Sequence, residues 1–300
     1  MKRRPPPPTV PERFPARFSV LLHELLARGS TMLGGRIEHE RARTAALSQS
    51  GTFVGHRHYV RGDDPRRIDW AASARSGELF IKQFEEEERR TATLVLDLSP
   101  SLLVGSPPRR LAALRLAAVA GGLALRHLDG VTIVAPGAGA LSLASFAAAS
   151  DLQPLLRHLD ALPIVMAAPD AAIALVLQRG LSGRVHWISD FAEPDTFELA
   201  LTALRRRGVR VTGWLPGLRE DHDVPQRGYI EVLDPESGQA VAVALDKALA
   251  NEMRQQLLRL ARRQDRLFAQ CGSPLVRWPA PAADDFSIAA WQQIVTWCSR

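Results

Sequence analysis

The chain has 300 residues, 46% of them hydrophobic and 23% charged. That suits one large domain, or a domain with an appendage, and excludes a wholly disordered chain. The net charge of +6 comes from 35 Arg against 3 Lys, spread along the chain without a recognised binding motif, so no nucleic-acid partner is expected. No run approaches the ~20 apolar residues of a membrane-spanning helix, so no membrane span is expected. The basic start Met1-Lys2-Arg3-Arg4 leads into four prolines rather than an apolar signal core. Two cysteines, Cys271 and Cys298, exclude a disulfide framework and a four-cysteine zinc site, and the whole points to the cytoplasm.

In chain order, residues 1–15 read as a proline-rich tail. Phe18, Leu21, Leu22, Leu25 and Leu26 then recur at helical spacing. From Ser48 to Arg90 the texture is charged and aromatic, and residues 16–90 form an N-terminal region of helix plus strands. Residues 91–300 alternate short apolar strands with helical patterns. Strands are expected at Thr93–Leu98, Val131–Ala135, Arg184–Ser189 and Val209–Leu215. Helices are expected at Arg109–His127, Asp151–Leu162, Asp170–Arg179 and Pro194–Arg207. Such alternation gives an α/β fold with a mostly parallel sheet and helices on both faces. Tyr229–Leu233 and Ala240–Ala244 flank turn residues and read as a hairpin; a long helix from Asp246 to Gln270, a strand at Leu275–Trp278 and a helix from Ser287 complete the chain.

The densest segment runs from Arg57 to Arg75. Gly62-Asp63-Asp64-Pro65 reads as a turn into a helix, with Asp64 as N-cap and Pro65 at the first helical position. Arg57, Arg61, Arg66, Arg67 and Arg75 alternate with Asp63, Asp64 and Asp69, and Ile68 and Trp70 offer apolar anchors. Mixed signs point to a structural ion network packed on the α/β domain rather than to a catalytic pocket. His56 and His58 share one strand face but have no third ligand of matching spacing, so no metal site is read there. Glu85–Glu88 reads as a solvated or salt-bridged strand end rather than an acidic metal cluster.

The string Arg57, Tyr59, Gly62, Asp63, Asp64, Arg67, Ile68, Asp69, Trp70, with Ala74-Arg75 and Glu87 beyond it, resembles the bacterial domain-of-unknown-function family fifty-eight. Its members are von Willebrand factor A-like proteins encoded beside MoxR-type AAA+ ATPases. The resemblance continues through Asp97-Leu98-Ser99-Pro100-Ser101, Ser189-Asp190-Phe191 and Leu233–Gly238. It implies a von Willebrand A-like, Rossmann-type sheet.

The resemblance also implies a metal-ion-dependent adhesion site formed by Asp97, Ser99, Ser101 and Asp190. Asp97 closes a strand, and loops at the carboxyl ends of parallel strands are where such sheets bind ligands. The oxygens of this set suit Mg2+. The threonine of complete sites is missing, since none lies between Thr132 and Thr196. Pro169 stands in the corresponding loop with Asp170 as a substitute ligand, so the resemblance implies a degenerate, weak Mg2+ site. Removal of Asp97 is expected to leave stability equal or higher by relieving clustered negative charge.

By the same resemblance the chain is a non-catalytic adaptor, not an enzyme, working with a MoxR-type AAA+ ATPase on an unknown client protein in chaperone-like remodelling or maturation. The alternative is a phosphoryl-transfer or phosphatase-like enzyme using Asp97 as nucleophile. Such sites want a nearby lysine, and the chain offers only Lys2, Lys82 and Lys247. On the helix from Asp246, Leu257, Leu260, Ala261, Leu267, Phe268 and Cys271 fall on one face, and Arg259, Arg262, Arg263 and Arg266 on the other. The basic face fits both solvation and docking of an acidic partner.

Overall fold

The computed structural model describes residues 13–29, 52–60, 63, 65, 68–85, 91–103, 105, 108–127, 130–136, 141–163, 174, 178, 183–217, 224–225, 227–234 and 238–298. The chain divides into two compact units. One joins Met1–Ser30 to Arg90–Arg300, and the other is Thr31–Arg89.

The larger unit is built on a six-stranded sheet. Its strands are β3 (Thr91–Leu96), β4 (Gly130–Pro136), β5 (Leu141–Phe146), β6 (Arg184–Ile188), β7 (Arg210–Gly217) and β10 (Leu275–Pro279). Their order is β10-β7-β6-β3-β4-β5. All neighbours run parallel except β4 and β5. Its helices include α1 (residues 16–29), α3 (Arg109–His127), α4 (Leu152–Ala161), α5 (Pro194–Arg206), α6 (Lys247–Gln270) and α7 (Ile288–Cys298).

Strand alternation sorts the core into two layers. Leu94, Leu96, Ile133, Ile188 and Trp214 pack with α1, α3, α4 and α7. Val95, Val134, Val185, Trp187 and Val211 pack with α5 and α6 on the opposite face. Helices therefore cover both faces, as a mostly parallel sheet requires.

α3 has almost no polar face. Sixteen of its residues, from Arg110 to Leu125, are buried, and Arg115 is held by donating to Arg13 O at 2.8 Å and Ala283 O at 2.6 Å. Its guanidinium also lies over the rings of Phe18 and Phe286, at 5.6 and 5.1 Å. This contact explains why the division of the chain differs from the sequence reading. The apolar stripe Phe18–Leu26 packs into the sheet unit's core, so residues 16–29 join that unit rather than residues 52–85.

A two-stranded hairpin, β8 (Gly228–Leu233) and β9 (Ala240–Leu245), precedes α6. The expected apolar face of α6 is only partly covered: Leu257 is 44% exposed and Leu260 and Ala261 are half-buried, whereas Gln264, Leu267, Phe268 and the C-cap Cys271 are buried. No helix of the described residues is long and apolar enough to cross a membrane.

In the smaller unit, β1 (Thr52–His58) pairs antiparallel with β2 (Phe80–Glu85), and a short helix α2 (Trp70–Ser76) lies between them in sequence. Pro65 lies in a short helical turn, with Ile68 N–H donating to Pro65 O at 3.2 Å, and its expected cap Asp64 lies outside the described residues. Asp69 is the N-cap of the following helix α2, accepting from the N–H groups of Ala71 and Ala72 at 3.1 Å each. Trp70 is 67% exposed and does not anchor a core. Among the described residues, three carboxylate contacts of this region are seen. Arg57 grips both oxygens of Asp63 at 2.6 Å, and His56 Nε2 lies 2.9 Å from Asp69 Oδ2. His58 Nδ1 lies 3.0 Å from Glu78 Oε2, so each histidine faces its own carboxylate. The Arg57 bond holds the Asp63 carboxyl down at about 2, with help from the Val60 N–H. Tyr59 N–H donates to Leu79 O, and Arg75 Nε to Ala71 O. Gly62, Asp64 and Arg67 lie outside the described residues.

Candidate functional site

Strand β3 is central, with β6 on one side and β4 on the other. The chain leaves β3 through α3 toward β4, and the next parallel strand, β6, returns on the opposite side of β3. Such a reversal of strand order is where open α/β sheets generally receive ligands, outside the carboxyl ends of the strands. Asp97 follows β3 directly, and Ser189 and Asp190 follow β6. The two strand ends stay in register, since Asp97 N–H donates to Ile188 O at 2.9 Å.

The side chains then close on one another. Ser189, fully buried, donates its hydroxyl to Asp97 Oδ2 at 2.6 Å, the short distance of a hydroxyl on a carboxylate. The other Asp97 oxygen accepts from Ser99 N–H at 2.9 Å. Ser99 and Ser101 Oγ are 2.9 Å apart. Asp190 Oδ1 accepts from Ala192 N–H at 3.2 Å, and Oδ2 lies 3.5 Å from Arg109 Nη1. Burial first, and then the neighbouring Asp97 charge, push the Asp190 carboxyl above the usual carboxylate range; the Ser101 hydroxyl, Arg109 and the Ala192 N–H act the other way.

The loop behind Asp190 is held firmly. Phe191 adopts φ 49, a left-handed conformation that a bulky residue takes only under compulsion. Its ring is wedged edge-on between Phe197 and Phe268, at 5.0 and 4.9 Å. Gly213 on β7 makes room for that wedge: a Cβ there would lie 2.3 Å from Phe268 Cε1. From α6, buried Gln264 donates to the carbonyls of Asp190 and Phe191 at 2.9 and 3.0 Å and accepts from Arg277 at 3.0 Å.

The structure thus brings together Asp97, Ser99, Ser101 and Asp190. Asp170 and Pro169 lie outside the described residues. The expectation that loss of Asp97 is free of cost does not fit this geometry, because Ala would strip the acceptor from the Ser99 N–H and the buried Ser189 hydroxyl. Sequence reasoning missed Ser189, Arg109 and Gln264 as contributors. Gln264 had a signal: it is the polar residue inside the stripe Leu260, Ala261, Leu267, Phe268.

The donor set fits the divalent cation that the sequence resemblance implies. Two hydroxyl oxygens 2.9 Å apart match the ~3.0 Å edge of an octahedron with bonds of about 2.1 Å, and the two carboxylates supply charge. Ser99, Ser101, Asp97 and Asp190 would hold such an ion, which would supply an open position for a partner's oxygen. Among the described residues no group of three His, Cys, Asp or Glu side chains gathers to hold a metal, so hydroxyls and waters would complete the shell.

The fold and site define an α/β protein with two buried carboxylates and two serine hydroxyls gathered at its switch point. The chain belongs to the family described as "Protein of unknown function DUF58", whose pattern matches residues 55–266. It is 28% identical over 230 residues to "Uncharacterized protein Mb1516" of Mycobacterium bovis and, equally, to "Uncharacterized protein Rv1480" of Mycobacterium tuberculosis, covering 73% of this chain and 72% of each relative. Two solved structures overlap it at 18% identity and a TM-score of 0.41. One is the conserved hypothetical protein BatB from Bacteroides thetaiotaomicron, covering 70% of this chain and 98% of that one. The other is an aerotolerance-related membrane protein from Bacteroides fragilis NCTC 9343, covering 69% and 98%.

Proposed function

We propose that the chain is a non-catalytic, von Willebrand A-like adaptor of the cytoplasm that acts with a MoxR-type AAA+ ATPase in chaperone-like remodelling or maturation of client proteins. The contact is the edge formed by Asp97, Ser99, Ser101 and Asp190. One observation carries the reading: these oxygen-bearing side chains converge at the sheet's carboxyl edge, where such folds receive ligands. A cation held there leaves a coordination position for a partner carboxylate, which makes docking cation-sensitive.

A phosphoryl-transfer role for Asp97 has less support. Its carboxylate is buried, and both oxygens accept hydrogen bonds from within the chain, which blunts it as an in-line nucleophile. The test is co-purification of the chain with the MoxR-type ATPase encoded in the same genome, with and without chelator. Retention that falls on chelation supports the adaptor reading. Absence of any complex, together with turnover of a chromogenic phosphate ester that is lost in Asp97→Asn, overturns it in favour of the enzyme.

A further inference from the structure

Arg109 is the first residue of α3, where an arginine works against the partial positive charge of the helix N-terminus, and no acidic residue offsets it within the first turn. Its guanidinium instead faces Asp190 Oδ2 at 3.5 Å, with the two side chains only 13% and 9% exposed. We propose that Arg109 is the resident cation of the Asp97–Ser99–Ser101–Asp190 site, and that a divalent cation enters only by displacing it. The inference rests on the cation-site part of the proposed function and not on the identity of the partner.

Three of the four carboxylate oxygens already accept from N–H or O–H groups of the chain: Asp97 Oδ1 from Ser99, Asp97 Oδ2 from Ser189, and Asp190 Oδ1 from Ala192. Asp190 Oδ2 is the oxygen that Arg109 faces, and the Ser101 hydroxyl also bonds the Asp190 carboxylate. A metal and the guanidinium therefore compete for the same carboxylate, and at a site shielded from water their mutual repulsion is poorly screened. Guanidinium is weakly hydrated and surrenders little on entering, whereas Mg2+ sheds water reluctantly. Arg109 is also tethered by α3, so it competes at the high effective concentration of an intramolecular group. The missing threonine is thus one reason for weak metal binding, and the arginine is a second, separable one. Displacement would expose the guanidinium at the edge where a partner docks.

Mn2+ binding to the full chain, read from the free-ion electron paramagnetic resonance signal, tests this. Arg109→Gln is expected to bind Mn2+ at least tenfold tighter than wild type. Arg109→Lys, which keeps the charge, should stay close to wild type, and the double variant Arg109→Gln/Asp97→Asn should lose the gain. Arg109→Met serves if the glutamine variant does not fold, as judged by circular dichroism. In wild type, the Arg109 guanidinium nitrogen resonances should shift as Mg2+ fills the site. Equal affinity in wild type and the neutral variants overturns the proposal, as does the absence of binding in all of them, or a filled site with unmoved Arg109 resonances. A gain in Arg109→Gln without ATPase binding sinks the adaptor reading alone; ATPase binding without the gain sinks this inference alone.

Discussion

Replacing Gln264 by Leu removes the clamp on the Asp190 loop while nearly preserving side-chain volume. Three hydrogen bonds disappear: two donated to the carbonyls of Asp190 and Phe191, and one accepted from Arg277. Arg277 keeps Asp265 Oδ1 and Ala261 O, so its loss is small. The two carbonyls sit against a buried side chain, and leaving each unsatisfied costs about 1–3 kcal/mol. Burying the extra apolar surface of leucine returns roughly 1–2 kcal/mol. At the midpoints of these ranges a net loss of about 2–3 kcal/mol is expected, and with it release of the strained φ at Phe191. Gln264→Glu sharpens the test, because a carboxylate can still face Arg277 but cannot donate to either carbonyl. It should be at least as unstable as the leucine variant. Urea unfolding followed by tryptophan fluorescence reports on this unit, since Trp187, Trp214, Trp278 and Trp291 are all buried in it. A loss below about 0.5 kcal/mol, or wild-type stability in Gln264→Glu, would refute the clamp.

Three further outcomes are expected. Asp69→Ala removes the α2 N-cap and the His56 contact, but the side chain is 16% exposed, so the loss should be about 1–2 kcal/mol, below the ~3–5 kcal/mol of a fully buried pair; a thermal melt of the smaller unit checks it. Gly213→Ala forces the Phe268 ring from β7 and should cost about 1–3 kcal/mol on urea unfolding, with altered near-ultraviolet circular dichroism from the Phe191 cluster. His186 is buried and accepts from Trp214 Nε1, and burial, aided by Arg184, pushes its pKa down to about 4. The unfolded chain then binds the extra proton between pH 6.5 and about 4, so stability should fall by up to roughly 3 kcal/mol as pH drops through that window. His186→Gln, which keeps an acceptor without titrating there, should flatten that slope in urea midpoints measured across the window.

Long apolar periodicity carried most of the fold. Arg109–His127 was legible to the residue because its apolar run is nearly continuous, and the two buried arginines within it, Arg110 and Arg115, are received by backbone carbonyls. Strand β5 was not, because an edge strand pairing on one side needs little hydrophobicity and Leu141–Phe146 alternates with serine. Trp70 misled because a large aromatic side chain reads as core in sequence, whereas here it sits at the start of a seven-residue helix with little to pack on. At the site, Asp97 and Asp190 were legible through their strand ends and the family string. Arg109 was not, since nothing local says which carboxylate an arginine 81 positions away in sequence will meet.

The central proposal, that the Asp97–Asp190 edge docks the ATPase, is tested most directly by the dissociation constant between the purified chain and that MoxR-type ATPase, for wild type and Asp97→Asn. Asparagine keeps an acceptor for the Ser99 N–H or the Ser189 hydroxyl, so the fold should survive while the site loses a charge. The account expects affinity to fall at least tenfold with an unchanged circular dichroism spectrum. Equal affinity in both proteins, at matched fold, would contradict it.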